Sequence, residues 1–124
     1  MIKSEDYVSL EVAKMLKEKG FDEPCEYYIS ENTGQVFYKG RLKPFKEEGH
    51  IVFLCPTLYE AQKWLRQSKC IHIEVIYMIG NYWIYEMLTI PHHNLTGASD
   101  RGDARYENYE KALNAGILEA LKLI

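Results

Sequence analysis

At 124 residues, 47% hydrophobic and with a formal net charge of −3, the chain has the size of one domain and too much apolar content to be disordered. The acidic balance argues against a protein devoted to gripping duplex DNA, which calls for a strongly basic one. Ten tyrosines carry most of the aromatic content. A tyrosine ring packs while its hydroxyl stays wet, which suits a half-buried sheet or a recognition surface.

In chain order, Ser9 caps a helix over residues 10–19 with Val12, Ala13, Met15 and Leu16 as its apolar stripe, and Gly20 stops it. Two short aromatic runs, residues 25–30 and 35–39, flank the turn Glu31-Asn32-Thr33-Gly34 and predict a hairpin. Residues 40–49 read as a polar, lysine-rich loop and residues 50–54 as a third strand. Thr57-Leu58-Tyr59-Glu60 is a capping box that opens a helix over residues 58–67, with Leu58, Ala61, Trp64 and Leu65 on one face.

Residues 71–79 and 82–90 predict a long hairpin around a two-residue loop, Gly80-Asn81. That loop pairs Ile73 with Leu88 and Val75 with Glu86. Glu86 then becomes the one charge on an otherwise apolar face turned toward the helices. Residues 91–105 read as a loop, and Asn108 caps a closing helix over residues 109–123. In that helix Ala112, Gly116 and Ala120 form a stripe of small side chains. A glycine there implies close approach of a bulky neighbour, Trp64 or a strand aromatic.

The helices opening at residues 9–21 and 56–66, the run Ile71-His72-Ile73-Glu74-Val75 and the ending from Tyr109 to Ile124 resemble a family of short uncharacterised proteins from gut Bacteroidetes and their phages. The resemblance implies an accessory protein of mobile-element origin and carries no catalytic residues with it. The shared Tyr-Glu openings (Tyr59-Glu60 and Tyr109-Glu110) also fit a degenerate duplication of a strand-strand-helix unit.

Few residues suggest chemistry. Cys25, Cys55 and Cys70 show no CxxC spacing and read as reduced thiols of a cytoplasmic protein. With His50, His72, His92 and His93 they make no zinc pattern beyond the pair Cys70 and His72, so no metal or other cofactor is expected. Cys55 before the capped helix has no histidine beside it in sequence, and Arg101-Gly102-Asp103 reads as a turn. No apolar stretch is long enough to span a bilayer, and the first six residues have no signal-peptide core, so no membrane partner is expected.

Residues 37–46 interleave rings and cations: Tyr38, Lys39, Arg41, Lys43 and Lys46 are the combination that stacks bases and meets phosphates in single strands. The sequence therefore predicts a single α+β domain over residues 1–124, an antiparallel sheet of four or five strands with three helices packed mainly on one face. Its first functional reading is a non-enzymatic binding or accessory module acting through protein contacts. Single-stranded nucleic-acid binding through residues 37–46 is the alternative, and a small enzyme using Glu86 the third.

Overall fold

The computed structural model describes residues 4–42, 46–47, 50–98 and 105–124, with the backbone alone for residues 4, 39–42, 46–47 and 50. It is α+β, and the chain divides into two compact units, Met1–Thr57 and Leu58–Ile124. The single sheet expected from the sequence is replaced by two separate antiparallel sheets, one in each unit.

In the first unit a 3-10 turn, Ser4–Asp6, precedes helix α1, Leu10–Glu18. The Ser9 hydroxyl accepts from the Val12 amide at 3.3 Å, the N-cap bond predicted. At the other end Gly20, with φ +99°, sends its N–H to Lys17 while the Phe21 N–H reaches Leu16. This Schellman pair satisfies the last carbonyls and folds Phe21 into the core. Val12, Ala13 and Leu16 face inward, against β1 (Cys25–Ser30) and β4 (His50–Leu54).

The predicted turn closes β1 onto β2 (Val36–Leu42), with Ile29 opposite Val36, Tyr28 opposite Phe37 and Tyr27 opposite Tyr38. Gly34, at φ +72°, makes the corner that an L side chain resists. The stretch 40–49 is not wholly loop: β2 runs through Leu42, and a short strand β3, Lys46–Glu47, pairs with β4. The sheet order is β2-β1-β4-β3, with Tyr28 wholly buried at its centre.

The second unit holds α2 (Leu58–Ser68), β5 (Ile71–Met78), β6 (Tyr82–Thr89), β7 (Leu95–Ala98) and α3 (Tyr109–Leu123), with sheet order β5-β6-β7. The α2 stripe Leu58, Ala61, Trp64 and Leu65 is buried as expected. In α3 the Asn108 carboxamide oxygen accepts from the Lys111 amide at 2.8 Å. Both helices lie against β5, and α3 also covers β6.

The long hairpin is present but its register is one residue off the prediction. The loop is three residues, Ile79-Gly80-Asn81, so Met78 faces Tyr82, Ile73 faces Met87 and Glu74 faces Glu86. Gly80 at φ +109° and Asn81 at φ +63° both take positive φ, which glycine adopts freely and an asparagine tolerates. The shift turns β6 over: Trp83, Tyr85 and Met87 share the helix side with Ile73, and Glu86 goes to the opposite face. Strand β7 replaces part of the loop predicted over residues 91–105. It is short, contains Gly97 and lacks the apolar alternation by which strands are recognised.

Candidate functional site

Among the described residues, exposed apolar side chains join aromatic clusters in each unit. In the first, Tyr38 stands on the edge strand β2 with 65% of its surface exposed. Its ring meets Tyr27 edge-on at 5.5 Å between centroids, and Tyr27 meets Tyr7 at 4.6 Å. The three rings run from the surface into the unit. Burial is the main cause that pushes the Tyr7 hydroxyl far above its ordinary pKa, with its hydrogen bond to Tyr27 adding to it, so Tyr7 stays neutral.

Of the predicted basic residues, Lys39 and Arg41 lie on β2 and Lys46 on β3, while Lys43 lies outside the described residues. The backbone therefore brings Tyr38, Lys39 and Arg41 onto one sheet edge and puts Lys46 on the strand at the far side of the sheet. A single continuous groove over residues 37–46 does not follow from that order.

In the second unit the distal end of the β5–β6 hairpin carries Ile79, 99% exposed, at the turn, and Tyr77, 53% exposed, just before it. Tyr77 packs on Trp83 at 4.9 Å and Trp83 on Tyr109 at 5.6 Å, an aromatic cluster that ends at the opening turn of α3. The Tyr77 hydroxyl donates to the Asn81 carboxamide oxygen, which ties the ring to the turn. Arg105 lies over the Tyr82 ring at 4.4 Å. The sequence pattern hides this end, because a two-residue loop makes Ile79 a paired strand residue.

Glu86 does not lie among apolar residues toward the helices: it is half-buried on the opposite face, directly across from Glu74. Cys25 and Cys55 are buried, and the Cys55 thiol donates to the Val8 carbonyl at 3.5 Å. His92 and His93 are exposed in the β6–β7 turn, and among the described residues no group of His, Cys, Asp and Glu is placed to hold a metal. Arg101-Gly102-Asp103 falls outside the described residues. A cleft beside α1, lined by Ala13, Lys17, Phe21, Phe53 and Leu54, has a volume of about 10 Å³, room for one water and no metabolite.

Among the described residues no helix is long and apolar enough to cross a membrane. No protein-family model matches the chain, and neither does any curated protein or solved structure.

Proposed function

We propose that the chain is a non-enzymatic binding or accessory module that acts through protein contacts at the distal end of the β5–β6 hairpin. The observation that carries this reading is Ile79, an isoleucine 99% exposed at the tip of a regular hairpin. A β-branched apolar residue gains nothing in water, while beside a tyrosine and tryptophan cluster it is the kind of anchor that protein interfaces use. The resemblance to short proteins of gut Bacteroidetes and their phages supports an accessory role of mobile-element type. The experiment is affinity purification of the full chain from its native host beside an Ile79→Asp variant. A protein recovered with the unmodified chain and lost with Ile79→Asp is the expected result, and identical sets would refute the reading.

Tyr38 supports the second reading, single-strand nucleic-acid binding. An exposed ring on a sheet edge, with Lys39 and Arg41 next along the strand, suits stacking beside phosphates. Titration of a fluorescent oligothymidine at low salt tests it: binding must weaken with salt and fall in Tyr38→Ala. An unmodified chain that leaves the oligonucleotide free ends this reading. The third reading, Glu86 as a catalytic acid or base, needs burial toward the helices and has no supporting geometry beside Glu74.

A further inference from the structure

Each sheet ends in two edge strands, and an open edge invites another strand unless something blunts it. In the first sheet β2 is broken by an irregularity opposite residues 25–27 and carries Lys39 and Arg41, and β3 has only two residues. In the second sheet β7 has four residues. Strand β5 differs: eight residues, IHIEVIYM, with no lysine, proline or bulge, every one paired in register to β6.

The hydrogen-bond phase of that hairpin says which backbone groups the open edge offers. The Ile90 N–H donates to the Cys70 carbonyl at 2.9 Å, so Cys70 and Ile90 form a bonded pair. Pairs alternate along an antiparallel ladder. His72, Glu74, Ile76 and Met78 therefore turn their N–H and C=O toward β6, and Ile71, Ile73, Val75 and Tyr77 turn theirs outward. The outer side of the hairpin agrees, since Trp83, opposite Tyr77, exchanges both backbone bonds with Tyr106 at 2.8 and 3.0 Å. On the open side Gln62 of α2 donates its side-chain N–H to the Ile73 carbonyl at 2.7 Å. The outward groups of Val75 and Tyr77 have no hydrogen-bond partner among the described residues.

We propose that β5 is the pairing edge of a homodimer, in which β5 of a second copy adds antiparallel about a two-fold axis at Ile76. This deepens the protein-contact reading and rests on it, since it places one partner beside the same hairpin end. The register follows from what the edge offers. With the axis at Ile76, Val75 of each copy pairs with Tyr77 of the other, and both free residues are used. Ile76 then meets its own copy, and Glu74 lies opposite Met78 rather than another carboxylate. An axis at Glu74 would set like charges face to face, and an axis at Val75 would require the Ile73 carbonyl that Gln62 holds. Two reciprocal pairs of backbone bonds and one isoleucine contact make a small interface, so the dimer forms and dissociates with concentration.

The test uses the full chain with the exposed Cys70 changed to serine. A residue on the axis lies in a non-bonded pair, where the Cα atoms are about 4.5 Å apart, within disulfide reach. Oxidised Ile76→Cys in that background should run as a covalent dimer, while a cysteine at Glu74 should not. Sedimentation velocity over rising concentration should shift the unmodified mass from one chain toward two. Met78→Glu, facing Glu74 of the other copy, should abolish the shift, and Met78→Lys should keep or strengthen it. A chain that stays monomeric at every concentration, with Ile76→Cys folded but uncoupled, overturns the proposal. It would leave Ile79 free to serve a different partner, which the host purification reads separately.

Discussion

Gly116 shows how much one missing methyl group can set. A Cβ built there would lie 2.7 Å from the Ile73 methyl and 3.0 Å from the Tyr85 ring. The close neighbour anticipated for the small-residue stripe is thus a strand aromatic with an isoleucine, and not Trp64. Alanine gains about 1 kcal/mol of helix propensity over glycine. Against that stands a contact with two fully packed side chains, and overpacking costs about 1–3 kcal/mol. Gly116→Ala should therefore be destabilising in urea unfolding, and Gly116→Leu more so. An alanine variant as stable as the parent would mean that α3 can lift from the sheet at no cost. Tyr85 gives a second handle. Burial, then the nearby Tyr106 and Glu119, push its pKa up to about 12. Unfolded, it ionises near pH 10. Between those values the folded state holds the extra proton, so stability is full below the window and falls as pH rises through it. Tyr85→Phe should flatten part of that alkaline loss; Tyr7, Tyr28 and Tyr106, also raised by burial, act in the same direction.

At the scale of elements, the helices and the inward face of β5 were legible and the facing of β6 was not. Ser9, Gly20 and Asn108 act locally, through bonds to residues within a turn, so sequence alone places the ends they set. The phase of β6 depends on a loop whose length the pattern does not fix. Ile84 and Leu88 on one face are as apolar as Tyr85 and Met87 on the other, so alternation cannot choose between them. The observed register makes Met87→Ala the costly change, about 2–5 kcal/mol, and Leu88→Ala the cheaper one. The reverse ranking in denaturant melts would restore the two-residue loop. The same register opposes Glu74 and Glu86, and like charges directly across a ladder repel. Glu86→Lys should raise stability by about 0.2–1 kcal/mol, an effect that added salt reduces.

For the molecule as a whole, period-two patterns announced strands but could not say which sheet each would join. The segments expected to contribute to one sheet belong to two, and β7 supplies the third strand of the second. Their orders differ, β2-β1-β4-β3 against the meander β5-β6-β7, so the matching Tyr-Glu helix openings do not accompany a repeated strand arrangement. The candidate site was half legible. The run around Tyr38 was visible because ring and cation alternate there, whereas the hairpin tip was hidden because isoleucine looks like a strand residue wherever it stands. Ile79 touches little, so Ile79→Lys should leave unfolding free energy within about half a kcal/mol. It should also raise the concentration at which the protein begins to scatter light, if that side chain is where copies or partners adhere.

The three-residue loop turns chain length into a matter of parity. Surface deletions are ordinarily absorbed where they occur, because a loop can redraw its own path. If the loop keeps its three residues, removing Ile79 draws Met78 into the turn and pairs Tyr77 with Tyr82, which sets Glu86 and Leu88 against α3 in place of Tyr85 and Met87. At constant loop length an odd number of residues lost at the tip inverts the strand roughly fifteen ångströms away, while an even number preserves its facing, and a loop that shortens instead leaves every pair in place. Ile79, 99% exposed, is thus a residue whose deletion can reach into the core although its substitution barely registers.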